Sequence, residues 1–276
     1  MAINLGTDGT DVTSAAVNLL HRMFQDSTNP VFKMLPGINS TDCWGSTDFF
    51  STKALDELQF PPIKEETLAR REKVGRRCQS EQKSQPKLVY NDEATYELNI
   101  EKAVPTEDHL RWAVWLVASR TLTVQGSSDG LSTPTSNKLL IPLIDMCNHD
   151  RNSLHILTGR AAPGGMLKVI AGCNIDVGEE IRFCYGGGIE GNDRFIQDYG
   201  FLDDNAEAYN IIAQNMIGRK KYSATEINHI YERLSETSMD QDEDILKEQK
   251  LTIDMRTAIR FRFGLKKAVA SLKSLN

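Results

Sequence analysis

Several residues with reactive or hydrogen-bonding side chains occur in one part of the sequence, each close to the end of a predicted helix or strand. Proteins often place reactive groups at such ends, because the element behind them is rigid. Taken singly, an Asn-His pair in a turn or a tyrosine ending a strand is more typical of a cap or a core position. If these segments converge in space, their side chains would line one cavity for a small molecule. The candidates are Ser119-Arg120, Asp145, Asn148-His149, Tyr185 and Tyr199.

A buried helix is predicted to position the first pair. In PTEDHLRWAVWLVASR, Thr106 is a good N-cap, and Glu107 and Asp108 complement the helix dipole in the first turn. Apolar side chains cover most of the circumference of this helix, which indicates burial. The helix ends close to Ser119-Arg120.

A small β region is predicted to position the others. LLIPLIDMCNHD is a short apolar run closed by polar residues, and LKVIAG and IRFCY have the composition of strands. NDRFIQDYGF then predicts a helical turn that delivers Tyr199 and Phe201.

Helices are predicted for most of the remaining chain. They cover residues 15–24, 51–58 and 64–77, the last after a break at Pro61-Pro62, and much of the chain beyond residue 205. Ser223 and Glu226 match a capping box. We expect the basic segment LARREKVGRR to be a solvated helix face, and the basic C-terminal helix to pack against the acidic stretch before it.

The composition is that of a folded protein, with 40% hydrophobic and 25% charged residues among 276. Acidic residues outnumber basic ones, 38 to 32, which disfavours sequence-independent binding to nucleic acid. The five cysteines contain no C-x-x-C pair, so we expect no metal site and a reducing, intracellular location in cytoplasm or nucleus. There is no apolar run of about 18 residues and no signal-peptide start, so no membrane partner is expected.

The order of the motifs resembles that of SET-domain protein methyltransferases. PLIDMCNHD is similar to their Pro-x-x-Asp-x-x-Asn-His motif, and VGEEIRFCYGGG to the Gly-Glu-Glu-Ile to Tyr-Gly motif. NDRFIQDYGF and WAVWLVASR are similar to the segments that follow and precede these motifs. The resemblance is strongest to the branch of the Rubisco large-subunit lysine methyltransferase and the actin-histidine methyltransferase.

This resemblance implies an α+β fold, in which a small-stranded SET β core carries a helical insertion and a helical C-terminal lobe. Residues 1–118 would hold the N-terminal segment and the insertion. Residues 119–202 would form the SET core with the cofactor and catalytic motifs, and 203–276 a shortened lobe of the substrate-binding type.

The resemblance also implies S-adenosyl-L-methionine as cofactor. Its methyl group lies on a positive sulfonium, and a neutral nitrogen must attack it in line, so catalysis consists of positioning and charge management without a metal. Asn148 and His149 would contact the cofactor, and Arg120 would pair with its carboxylate. Tyr185 would be the catalytic residue and would also touch the cofactor beside the transferring methyl.

The implied substrate is a protein side chain held by Ser119, Asp145 and Tyr199. Tyr199 matches a tyrosine of the lysine-methylating branch. The histidine-methylating branch instead has an asparagine shortly after the arginine, where Thr121 and Leu122 stand here. The sequence therefore favours protein-lysine N-methylation, with protein-histidine N-methylation as the alternative.

Two departures from the SET-domain pattern leave a third hypothesis about the function open. SET domains begin with a glycine-rich Gly-x-Gly strand, which is apparently missing here, where Gly6 and Gly9 lie in a polar context. The helical lobe is also short. A catalytically inactive interaction module with an incomplete cofactor pocket is thus an alternative. A hydrolase with Ser128 as nucleophile in GSSDG is disfavoured, because Pro134 prevents the helix that such a motif needs.

Overall fold

Helices form most of the chain in the computed structural model, which describes residues 2–7, 10–37, 45–83, 105–125, 136–159 and 166–274. None of the helices in these ranges combines the length and the apolar character needed to cross a lipid bilayer. The helices are α1 Val12–Gln25, α2 Pro30–Lys33, α3 Thr52–Glu57, α4 Pro61–Lys83, α5 Glu107–Arg120, α6 Asn192–Arg194, α7 Glu207–Ile217, α8 Ala224–Leu234, α9 Met239–Leu246 and α10 Ile253–Ser274. The strands are β1 Ile3–Thr7, β2 Thr121–Gln125, β3 Ser136–Leu140, β4 Asn148–His149, β5 Ile156–Thr158, β6 Lys168–Ile170 and β7 Arg182–Phe183.

The N-terminal residues form a strand, although their polar sequence indicates only an early helix. β1 pairs antiparallel with β3, placing Ile3 opposite Leu140, and β3 pairs antiparallel with β2. Ile3 and Leu5 are buried and alternate with less buried residues, which is the period of a strand with one face on the core. The strand contains one glycine, Gly6, instead of the Gly-x-Gly pair. The first sheet thus joins the N terminus to the segment that follows α5.

Helix α5 is the centre of the first hydrophobic core. Thr106 caps it through its side chain, and His109 completes the capping box in place of the usual Glu or Gln. Seven of its residues are buried, and they pack against α1 and β1. The predicted helix and its burial are therefore confirmed, and the rigid helix delivers Ser119-Arg120 to the first sheet.

Helix α4 differs from its prediction in where it begins and in what its basic face does. Pro61 and Pro62 start the helix instead of breaking the chain, because proline lacks only an N–H that the first helical turn leaves unpaired. Arg70 and Arg71 are not part of a solvated face, whereas Arg76 is exposed as predicted. Arg70 donates to Asp48 at 2.9 Å and to Asp198 at 3.0 Å, and Arg71 donates to the carbonyl of Thr47 at 2.7 Å. These bonds tie α4 to the turn that carries the C-terminal site residues.

A second hydrophobic core joins the C-terminal helices to α3 and the start of α4. Within this lobe α10 packs against α7, α9 and α3. The buried Arg262 of α10 donates to Asp242 of α9 at 2.9 Å, and Lys266 donates to the same carboxylate at 2.7 Å. The predicted packing of the basic helix against the acidic stretch is therefore confirmed. The Gly-x-Ser-x-Gly pattern around Ser128 lies outside the described residues.

Candidate functional site

Two cavities adjoin where the end of α5, the turn Ile144–Met146 and the end of β7 meet. The larger has a volume of about 690 Å³ and the smaller about 350 Å³. Asn148 lines the smaller cavity but not the larger one. The structure therefore brings six of the seven predicted site residues to the walls of these cavities. The residues common to both walls are Ser119, Arg120, Asp145, Tyr185 and Tyr199.

Tyr185 forms a wall between the two cavities, and bonds at both ends hold it in place. Its hydroxyl donates to the carbonyl of Cys147, and its backbone N–H donates to Nδ1 of His149 at 3.0 Å. Its ring lies 4.8 Å from that of Tyr199, centroid to centroid. Burial raises the pKa of Tyr185 to about 12, so its side chain is a neutral phenol at physiological pH.

His149 lies behind this wall, and its side chain lines neither cavity. Because its Nδ1 accepts the Tyr185 N–H, the neutral ring carries its proton on Nε2, which faces Asp203 Oδ2 at 3.3 Å. The ring also packs against Phe195, with centroids 4.8 Å apart. Both ring nitrogens are thus occupied by protein groups. The side chain positions Tyr185, and any contact between this residue and a small molecule is left to its backbone.

Asp145 and Arg120 contribute unsatisfied polar atoms. Oδ1 of Asp145 and Nε of Arg120 are buried and have no hydrogen-bond partner among the described residues. Burial raises the pKa of Asp145 despite the nearby guanidinium of Arg120, whose Nη1 donates to the Asp145 backbone carbonyl at 2.9 Å. A buried polar atom without a partner is costly. Both residues line both cavities, so two residues with an unpaired polar atom lie at this part of the site.

Aromatic side chains surround the smaller cavity. Tyr199 ends the short π-helical turn Phe195–Tyr199, and Gly200, in the left-handed region with φ 86°, then reverses the chain toward Phe201. Trp115 Nε1 donates to the carbonyl of Tyr199 at 3.2 Å. The predicted helical turn is confirmed. The sequence predicts Trp115 only as a core residue, because nothing local distinguishes a core aromatic residue from one that lines a cavity.

Sequence reasoning also missed Arg151, whose side chain holds the backbone segment that brings Glu190 to the larger cavity. It is 8% exposed, and it donates to Asp203 at 2.7 Å, to the Gly188 carbonyl at 2.8 Å and to the Glu190 carbonyl at 2.9 Å. Three acceptors in fixed directions match the fork of a guanidinium. Among the described residues, no group of three His, Cys, Asp or Glu side chains is placed to hold a metal ion.

Replacing Arg151 with lysine should lower the free energy of unfolding by about 1–2 kcal/mol, because an ammonium cannot reach all three acceptors and leaves part of them unpaired. Urea denaturation followed by circular dichroism measures the loss. Arg182→Lys is the matched control. Arg182 is 48% exposed and pairs with surface carboxylates, so its replacement should leave the free energy of unfolding almost unchanged. Equal losses in the two variants would contradict the role given to Arg151.

Solved structures supply the comparison. The SET domain of LSMT bound to MeLysine and AdoHcy matches with a TM-score of 0.58 and 16% identity, over 97% of this chain and 75% of that one. Rubisco LSMT bound to AdoMet matches with a TM-score of 0.57 and 15% identity, at the same coverage. No protein-family model and no curated protein sequence matches the chain. The predicted α+β architecture is thereby confirmed, and the protein has the fold of a SET-domain methyltransferase.

Proposed function

We propose that this protein is an S-adenosylmethionine-dependent methyltransferase that modifies a lysine side chain of a protein substrate. The observation that carries the proposal is the pair of adjoining cavities with a common wall at Tyr185. A transfer reaction needs two ligands that approach one point from different sides. The similar LSMT structures hold AdoMet, AdoHcy or sinefungin, and some hold lysine or a methylated lysine.

The smaller cavity suits the cofactor. Arg120 Nε, buried and unpaired, fits a carboxylate, and Asn148 adds an amide at the same wall. Trp115 and Phe201 provide aromatic surface for a purine. When bound, S-adenosylmethionine supplies a methyl group on a positive sulfonium. The faces of Tyr185 and Tyr199 stabilise positive charge at the common wall.

The larger cavity suits the substrate. The free Oδ1 of Asp145 accepts a hydrogen bond from an amine, and Ser119 and Tyr199 place two more hydroxyls at the same wall. The aliphatic side chains of Ile156 and Leu157 complete the lining. Burial among such side chains lowers the pKa of a lysine amine, which favours the neutral nucleophile.

Lysine is favoured over histidine by the residues at this wall. Tyr199 lines the larger cavity, as its match to the lysine-methylating branch requires. Thr121 and Leu122 also line it, and neither supplies the amide that follows the arginine in the histidine-methylating branch. A hydroxyl and an aromatic face suit an ammonium better than a neutral imidazole.

The test uses two measurements. Calorimetry with S-adenosylmethionine should give saturable binding, and oriented peptide libraries containing a central lysine or a central histidine should be methylated only at lysine. Transfer to histidine alone would overturn the substrate assignment. Absence of both binding and transfer would overturn the enzyme assignment and support a non-catalytic interaction module.

Replacing Asp145 with asparagine should lower kcat/KM for a lysine peptide about 10- to 100-fold, because a charged acceptor at the amine is lost. Since burial raises the pKa of Asp145 above its usual 3.8, the carboxylate is present above that raised pKa and lost as pH falls through it. We therefore expect the acidic limb of the wild-type pH profile to be weakened in the variant.

Peptide methylation measured at several pH values provides the readout for Asp145→Asn. Asp176→Asn, the same change in an exposed loop, should leave the profile as in the wild type. An Asp145→Asn enzyme with an unaltered acidic limb and unaltered kcat/KM would remove the carboxylate from the substrate site.

A further inference from the structure

Glu190 is a carboxylate in the larger cavity that the sequence motifs do not include. It lines that cavity and not the smaller one. Its side chain is partly buried, and burial raises its pKa. It makes no ion pair and no side-chain hydrogen bond within the described part of the chain. A half-buried carboxylate without a partner is an incomplete site.

The backbone around Glu190 places its side chain beside Tyr185, in the common wall of the two cavities. Gly186, Gly187 and Gly188 all lie in the left-handed region, with φ of 61°, 64° and 79°, where side chains are strained. A Cβ at Gly186 would lie 2.6 Å from Cγ and Cδ of Glu190. The triple glycine thus lets Glu190 fold back against the residue that follows Tyr185, and Arg151 holds the Gly188 and Glu190 carbonyls from the other side.

The neighbouring cations are already paired with other groups. Arg194 binds Asp198 and Glu66, the latter at 2.9 Å. Lys221 binds Asp193 at 2.6 Å. Arg151 spends its donors on Asp203 and the two carbonyls. None of these cations forms an ion pair with Glu190, and Arg194 and Lys221 act on its carboxyl group only through space, where they partly oppose the rise in its pKa.

The larger cavity consequently carries an excess of negative charge. Two carboxyl groups, Asp145 and Glu190, line it against the single guanidinium of Arg120. His155 also lines it, and its Nδ1 accepts the backbone N–H of Gly172 at 3.2 Å. A cavity with this balance of charges attracts cationic ligands and repels anionic ones.

We propose that Glu190 is a specificity-determining residue that selects substrates with a second positive charge, arginine or lysine, close to the target lysine. The inference rests on the proposed function. Asp145 lies at the wall common to both cavities and takes the target amine, whereas Glu190 lies only on the substrate side and takes the flanking cation. A protein substrate with a short basic segment fits both.

The experiment compares two peptides that share one target lysine, one with a flanking arginine and one with glutamine in its place. Wild-type protein should prefer the arginine peptide about tenfold, both in anisotropy binding and in kcat/KM for methylation. In Glu190→Gln the ratio between the two peptides should fall to near one. Glu232→Gln, the same change on the exposed surface of α8, should keep the wild-type ratio.

The outcomes separate this inference from the proposed function. Methylation of both peptides at equal rates by the wild type would overturn the role of Glu190 while the methyltransferase assignment stands. A binding preference that disappears in Glu190→Gln, without methylation of either peptide, would support the cationic site and count against the enzyme. A preference that persists in Glu190→Gln would overturn the inference directly.

Discussion

Replacing Tyr185 with phenylalanine should lower turnover about 100- to 1000-fold, the range observed when one oriented polar group is removed from a transfer site. The hydroxyl donates to the Cys147 carbonyl, and His149 holds the backbone of the same residue. The oxygen is therefore oriented before any ligand binds. Without it, the common wall of the two cavities loses an oriented dipole, while the ring and the fold remain.

Single-turnover methylation measures this loss, and calorimetry checks that affinity for S-adenosylmethionine changes far less than the rate. Tyr209→Phe is the matched control, because Tyr209 is also a partly buried tyrosine whose pKa is raised to about 12, but it lies in the C-terminal lobe. Unchanged turnover in Tyr185→Phe with an intact fold would exclude the hydroxyl from the mechanism.

The pH dependence gives a second check on the same residue. Because burial raises the pKa of Tyr185 to about 12, the neutral phenol persists below that pH and the phenolate forms only above it. The wild-type rate should therefore show no inflection from this residue up to about pH 10. A basic limb below pH 10 that disappears in Tyr185→Phe would mean that the phenolate acts as a base.

Replacing Arg262 with methionine should lower the free energy of unfolding by about 3–5 kcal/mol, the usual cost of removing one partner of a buried ion pair. Arg262 and Asp242 are both fully buried. Arg262 also donates to the Glu57 carbonyl at 3.0 Å, which links α10 to α3. In the variant, Asp242 keeps only Lys266 as a charged partner, and the α3 carbonyl loses its donor.

Urea denaturation provides the measurement, with Arg260→Met as control on the same helix. Arg260 is 47% exposed, and its partner Asp204 is 85% exposed, so its replacement should cost less than about 1 kcal/mol. The triple variant Arg262→Met with Asp242→Leu and Lys266→Met should recover part of the loss, because it removes Asp242 together with both of its cationic partners. A triple variant less stable than Arg262→Met alone would show that packing, rather than charge, sets the cost.

Local sequence signals predicted the elements that depend on neighbours in the chain. The N-cap at Thr106, the capping box at Ser223 and the apolar surface of α5 all appear in the structure. These signals work because a helix cap or a helix face involves residues only a few positions apart. The motif order also identified the five residues that line both cavities. These residues follow one another along the chain in the same order as the elements that carry them.

Contacts between distant residues were decided by the tertiary structure alone. Ile3 pairs with Leu140. The short sequence of β1 gives no sign of which strand, so far along the chain, is its partner. Arg70 was predicted to lie on a solvated helix face, yet it pairs with Asp48 and Asp198 in the interior. Charge by itself does not reveal burial, which depends on whether a counter-ion reaches the same place.

The same distinction between local sequence and tertiary structure applies to the candidate site. The sequence by itself identified Asp145, Tyr185 and Tyr199 as candidates, because residue types and their order along the chain are local properties, and all three line the cavities. Only the tertiary structure decided that His149 lies behind Tyr185 and that a left-handed glycine turn returns Glu190 to the cavity. The physical reason is that the side-chain environment is set by whatever long-range packing brings against it, and no spacing along the chain encodes that.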